Sequence, residues 1–363
     1  MKNIRYLTLL YLLSFPTLAA VELSEHVTLS GFGSTSVAVS DNETPLLVNR
    51  AINDSTCFDC DTTFGLQLDY YHNAFKASAQ LVKRPQDNWS EPQLEWAYLA
   101  YSHENFQFRG GRLRMPLFLA SEYYFVGHAY PSARPAAEVY NSVLGITAYN
   151  GLSVIWNHEL NDTQSVIATP FFGLRNESNV NYNPNTELDI TTNRMWGINV
   201  VLSGDNYRWN LTYMNADYDR ETILTNTIMD IPGSEAMFVD KMKIVERNQN
   251  IQLASLGVSY ELDSLSLTAE GQVNDVVNAW YVSASYNINS FTSYMMYGQQ
   301  LSADEAQTGS SYGLGLRYDL LYNVSLNAEW QYFKARDDEY GAFIYVPEDN
   351  DANLYTLMMS FVF

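Results

Sequence analysis

Beyond residue 20 the sequence has no run of eighteen apolar residues, so no transmembrane helix is expected. Cysteine is nearly absent, with two in 363 residues, Cys57 and Cys60. That excludes a disulfide scaffold and a four-thiolate zinc site. Positive charge is scarce too: 20 Lys and Arg stand against 41 Asp and Glu, a net −21 at pH 7. Nucleic acid is thereby excluded as a partner, because neutralising phosphates needs clustered cations. Histidine is limited to His26, His72, His103, His128 and His158. No Gly-x-Ser-x-Gly, His-Glu-x-x-His or phosphate-loop motif occurs. No catalytic residue, metal site or cofactor is implied, and an enzyme is not expected.

What is present is apolar and aromatic. Hydrophobic residues make up 47% of the chain and 27 residues are Tyr, too much for a disordered polymer despite the charge. The first twenty residues read as an export signal. Lys2 and Arg5 form a basic start, Tyr6 to Phe15 is almost wholly apolar, and Pro16 precedes Thr17-Leu18-Ala19-Ala20. That run is too short to span a bilayer, so cleavage after Ala19 or Ala20 is expected. Loss of Lys2 and Arg5 takes the net charge from −21 for the whole chain to −23 for residues 21–363.

Alternation dominates those residues. Val324, Leu326, Ala328, Trp330 and Tyr332 fall on one face of a strand, and Ser325, Asn327, Glu329 and Gln331 on the other. The pattern repeats in 16 segments, near 27–39, 63–72, 75–82, 93–102, 105–114, 151–159, 164–175, 193–203, 206–217, 250–262, 264–272, 278–288, 291–299, 310–319, 323–334 and 353–363. Pro170 weakens the seventh, since proline cannot donate to a ladder. The connections alternate short and long. Long ones are expected at 40–62, 83–92, 115–150, 176–192, 218–249, 273–277, 300–309 and 335–352. An even strand count then puts all short turns at one end and all long loops at the other, the layout of an outer-membrane barrel. Trp96 with Tyr98, Trp330 with Tyr332, and Tyr312 with Tyr318 are expected on the apolar face near strand ends, at headgroup level.

The last segment places Tyr355, Leu357, Met359, Phe361 and Phe363 on one face. A final amphipathic strand ending in Phe resembles the assembly signal of bacterial outer-membrane proteins. In layout the whole chain is similar to the 16-stranded Gram-negative porins. The run from Gly111-Arg112-Leu113-Arg114-Met115-Pro116 through Val126-Gly127-His128-Ala129-Tyr130-Pro131 to Arg134-Pro135 and Val139-Tyr140 resembles a stretch of porin-like proteins. The resemblance implies an all-β antiparallel transmembrane barrel, a homotrimer in lipid and lipopolysaccharide, and a third loop folded inward to narrow the lumen.

The residues agree about that loop. Segment 115–150 is rich in Tyr, Phe and Pro and wants burial. Its carboxylates are Glu122 and Glu138, it carries Arg134, and the preceding strand offers Arg109, Arg112 and Arg114. Opposed charges across a constriction select ions. Arg112 and Arg114 share parity with Phe106 and Phe108, which would aim them at lipid. A bulge at Gly110-Gly111 is expected to turn them inward. The alternative is a place at the external rim, paired with loop carboxylates or lipopolysaccharide phosphates. Lys76, Arg208, Arg317, Glu270 and Glu329 are further lumen candidates, each plainly readable as a solvated wall residue. Cys57 and Cys60 are expected to form a disulfide that staples the first long loop. The acidic runs Asp337-Asp338-Glu339 and Glu348-Asp349-Asn350-Asp351 read as solvated charge, with divalent-cation binding as the sharper alternative. The expected function is a porin for passive diffusion of small hydrophilic solutes and ions, with a slight lean to cations. The alternatives are a substrate-specific channel and a plugged structural or adhesive barrel.

Overall fold

The computed structural model describes residues 20–85, 92–143, 145–183, 185–228 and 238–363. Residues 1–19, and with them nearly all of the proposed export signal, lie outside that set. The strands are β1 (Val21–Ser24), β2 (Val27–Ser40), β3 (Thr63–His72), β4 (Phe75–Lys83), β5 (Gln93–His103), β6 (Phe106–Arg114), β7 (Ala148–Asn161), β8 (Gln164–Leu174) and β9 (Asn176–Asn183). They continue as β10 (Thr186–Ser203), β11 (Tyr207–Ile228), β12 (Phe238–Leu262), β13 (Leu265–Asn274), β14 (Val277–Ile288), β15 (Phe291–Ser302), β16 (Gln307–Leu321), β17 (Val324–Ala335) and β18 (Asp351–Val362). One helix of four residues, α1 (Ala137–Tyr140), interrupts them.

Apart from β8 and β9, consecutive strands pair antiparallel, and β18 pairs with β2 to close the ring. Two strands do not count as separate staves. β1 is a short arm on β2. β8 and β9 are two halves of one stave broken at Arg175, both laid along β10. The result is a closed 16-stranded barrel. Its seam is held at the last residue, where the Gly31 N–H donates to Phe363 O at 2.8 Å and the Phe363 N–H donates to Gly31 O at 2.9 Å.

Which face holds water is read from burial. Leu314, Leu316, Leu326, Leu357 and Met359 are exposed on the outside, while Ser325, Asn327, Glu329, Gln331 and Thr356 on the alternate positions are buried. A soluble protein would have the reverse. Apolar outside and polar inside is the arrangement that lipid demands of a barrel. Tyr297 and Tyr312, with ring centroids 4.7 Å apart, continue to Tyr332 near the long-loop end. Phe291 and Tyr318 stack at 4.7 Å near the short-turn end. These are the two aromatic girdles. Four short turns begin with a left-handed residue, Asn73, Glu104, Asp263 and Asn289, at φ between 50° and 56°. That conformation reverses the chain in two residues.

Three local expectations are corrected. Trp96 and Tyr98 face inward, paired with the buried Gln80 and Ser78. The cause is a register skip: Gln80 opposes Trp96 and Leu81 opposes Leu94, which leaves Glu95 as an extra residue and reverses parity beyond it. The bulge expected at Gly110-Gly111 does not exist as a register shift, since β6 runs unbroken against β5 and β7. Gly111 instead takes φ +138°, a conformation L side chains rarely adopt, and a Cβ there would run into the Ala97 carbonyl of β5. Finally, much of 176–192 and 218–249 is strand, as β9 to β12 rise well beyond their neighbours, and the connection within 273–277 shrinks to two residues. The Pro170 doubt is answered by a gap: the β7–β8 ladder lapses between Ser153↔Phe171 and Trp156↔Ala168, where proline has no N–H to give.

Candidate functional site

The segment joining β6 to β7, residues 115–147, is tied to inward-facing wall residues on both sides of the barrel. Its apolar residues Met115, Leu117, Phe118, Val139 and Val143 pack on a buried cluster that includes Met195, Met214 and Leu253 of the wall. The cost of crossing water-lined space is offset where the strap meets apolar wall. Its backbone polar groups must also find partners. The Thr212 hydroxyl donates to Pro116 O at 2.9 Å, and the Ser255 hydroxyl donates to Leu117 O at 2.5 Å. The Leu119 N–H donates to Glu270 Oε1 at 2.6 Å, and the Tyr140 hydroxyl donates to Glu270 Oε2 at 2.8 Å. On the far side the Ala133 N–H donates to Glu329 Oε2 at 3.0 Å. Asn327 Nδ2 donates to Pro131 O at 2.5 Å. Arg317 donates to His128 O at 2.9 Å and Tyr130 O at 2.8 Å. Three residues readable as solvated wall, Glu270, Arg317 and Glu329, are therefore anchors of the strap.

The expected site residues divide into two groups. Arg134 and Glu138 are consumed in fastening. Arg134 is buried and forks onto Asp61 of the first long loop, with Nε 2.7 Å from Oδ1 and its NH2 group on Oδ2. Arg50 Nε also donates to Asp61 Oδ1 at 2.7 Å, and Ser36 donates to Oδ2 at 2.6 Å. Burial alone would raise the Asp61 carboxyl, but Arg134, Arg50 and Ser36 outweigh it and hold it well below the usual carboxylate range. Glu138 lies on α1 against Gly298 and accepts from the Ser311 hydroxyl. Burial pushes its carboxyl upward, opposed by that hydrogen bond. Asp61 carries no motif and stands in a chain with 41 acids, so sequence reasoning passed over it.

The second group lines open space. A cavity of about 540 Å³ lies between the strap, β6 and β9, and Arg50, Arg84, Arg112 and Arg114 line it. Glu95, the extra residue of the β5 bulge, binds Arg84 Nε at 2.5 Å and Arg114 NH1 at 2.8 Å. Arg114 also lies over the Phe125 ring at 4.8 Å and the Tyr124 ring at 5.8 Å. Arg112 and Arg114 stand at the long-loop end of β6 and line this cavity. Arg109 is set deeper, donating to Ser153 Oγ at 3.1 Å. Glu122 is exposed and makes no ion pair among the described residues. A second cavity of about 590 Å³ lies toward the short turns and is lined by Tyr123, Arg208, Tyr281 and Tyr294. Tyr140 borders both, so the strap divides the two.

Cys57 and Cys60 are joined as a disulfide just ahead of Asp61. With both sulfurs so committed, the nearby Asp59 has no thiolates to share a metal with. The acidic runs in 335–352 are used locally: Asn350 donates to Asp337 Oδ1 at 2.7 Å, and the Tyr332 hydroxyl donates to Asp351 Oδ2 at 2.9 Å.

The profile of the Gram-negative porins matches residues 7–338. No curated protein matches by sequence. Among solved structures, the anion-selective porin of Comamonas acidovorans is similar at 12% identity and a TM-score of 0.62, over 93% of this chain and 99% of that one. OmpF of Salmonella typhi, in complex with daunomycin, is similar at 12% identity and 0.61, over 95% and 100%. The trimer form of OmpT from Vibrio cholerae is similar at 11% identity and 0.54, over 93% and 100%. Likeness at this identity is one of fold. The profile match takes in most of the wall and the whole strap, and on that ground the chain belongs to the Gram-negative porin family, barrels of the outer membrane through which small solutes diffuse passively.

Proposed function

We propose that solutes cross this barrel past the strap of residues 115–147 and that small anions pass more readily than cations. The observation that carries this reading is the arginine-lined cavity beside the strap, where Arg84 and Arg114 share one carboxylate, Glu95. The acidic loops oppose it. A net charge of −21 enriches cations at the mouth. That field is screened within about 10 Å in physiological salt, whereas charges lining a narrow path act at contact distance. Arg109, Arg112 and Arg114 set the charge of the path. Arg134 and Glu138 hold the strap, and Glu122 faces solvent.

This reading departs from the slight lean to cations, which rested on the acidic loops at the mouth. A reversal potential in planar bilayers under a potassium chloride gradient tests the reading. The expected sign is that of chloride preference, and a potassium-selective potential or an absence of conductance overturns it. We further propose a homotrimer embedded in lipopolysaccharide, supported by the trimeric OmpT relative. Residues 1–20 are proposed as a leader that is removed before assembly.

A further inference from the structure

Arg112 is the least neutralised charge in the cavity beside the strap. It donates to Leu94 O at 2.7 Å and to Asn176 Oδ1 at 2.6 Å, both uncharged acceptors. Among the described residues no carboxylate forms an ion pair with it. A guanidinium carries five N–H donors in a planar fork, so donors remain for a ligand. Glu95 is already shared by Arg84 and Arg114. The acid that lines the cavity, Glu177, is exposed and bound to Arg175 at 2.9 Å. The rest of the lining includes Leu117, Phe118, Tyr124, Phe125, Tyr140 and Val143. Rings and cations already interleave there, with Arg84 5.7 Å and Arg114 4.8 Å from the Phe125 centroid. The cavity, about 540 Å³, has room for a single ring with its water.

We propose that this cavity binds small aromatic carboxylates, with the carboxylate forked onto Arg112 and the ring laid among Phe125, Tyr124 and Tyr140. The charge supplies the anchor. The aromatic lining supplies the preference over smaller anions, because a ring buried there leaves water and gains stacking contacts. This rests on the anion path proposed above only for its consequence, which is retention of such solutes during passage; the binding is measured without conduction.

Calorimetry on the detergent-purified protein tests it, with benzoate, acetate and benzamide as probes. Benzoate is expected to bind at least about tenfold more tightly than acetate, which lacks the ring, and than benzamide, which lacks the charge. Arg112→Gln is expected to weaken benzoate by about tenfold, the loss of one charge-assisted pair. Phe125→Leu keeps every charge and is expected to weaken benzoate while leaving acetate unchanged. It also serves if Arg112→Gln does not fold. Equal binding of benzoate and acetate, no benzoate binding, or full benzoate affinity in the variants overturns the proposal. Missing conductance in potassium chloride with benzoate binding intact would instead count against the anion path alone.

Discussion

Arg134 of the strap and Asp61 of the first long loop, 73 residues apart in sequence, meet in a forked ion pair with Nε 2.7 Å from Oδ1. Both side chains are almost fully buried, at 4% and 2% exposure. Asp61 also answers Arg50, so one carboxylate satisfies two guanidinium groups. Asp61→Asn would leave Arg50 buried without a counter-charge and Arg134 with only Glu329, 3.7 Å away. The expected cost is about 3–5 kcal/mol of stability, far more than an exposed pair would show. Chemical unfolding in lipid vesicles measures it, and a change under about 1 kcal/mol would refute the account.

The buried carboxyl groups of strap and loop respond to pH in opposite senses. Glu138 has a raised carboxyl, so its docking is fully favourable below the ordinary carboxyl range and is lost as pH rises through its raised value. Asp61 has a lowered one, so its clamp is present above the ordinary carboxyl range and is lost only as pH falls toward its lowered value. Between these limits, alkalinisation should loosen the α1 end of the strap while the Arg134 end stays fastened. Channel noise recorded as pH is raised from the ordinary carboxyl range upward should rise, and Glu138→Gln should abolish the rise. Equal pH dependence in the variant would refute it.

Loss of the disulfide should have a small and local effect. Cys57 and Cys60 close a loop of only a few residues, for which cross-linking contributes at most about 2 kcal/mol. A Cys57→Ser/Cys60→Ser protein should assemble and melt nearly as the parent does, but be cut faster near the exposed Phe58 by an externally added protease. A collapse of the barrel on reduction would show that the staple has a larger task.

The orientation of the wall makes a prediction of contrast. Leu357 is 63% exposed and its neighbour Thr356 is buried. Leu357→Arg places a charge on acyl chains, at about 2–4 kcal/mol near mid-depth. Thr356→Ser, one position away, faces the enclosed side and should cost well under half as much. Urea unfolding in vesicles compares the two, and equal costs would contradict the assignment of faces.

Much of this architecture could be read from the residues, because lipid enforces a strict rule. Wherever one face of a strand meets acyl chains, the sequence alternates, and all 16 staves were visible at positions such as Leu326 and Asn327. The rule lapses outside the membrane. Asn176–Asn183 is mostly polar on both faces, so β9 and the upper parts of β10 to β12 looked like loop. A single extra residue is equally silent: nothing about Glu95 announces that it is skipped, yet the skip turns Trp96 and Tyr98 inward and supplies the acid for Arg84 and Arg114. The strap was legible from its aromatics, whereas its fastening was not. Glu270 and Glu329 have the same sequence pattern as any lumen-facing carboxylate, and only the approach of the Leu119 and Ala133 amides distinguishes them.

The pairing of β18 with β2 spans nearly the full chain, with Ser34 and Ser360 in contact although 326 positions apart. A ring joined in that way has no partial form that is satisfied. Until its final strand arrives, the first one offers a bare ladder of amides and carbonyls, and every stave between them shows oil to water. An emerging chain of this kind depends on being shielded in transit until that seam can close.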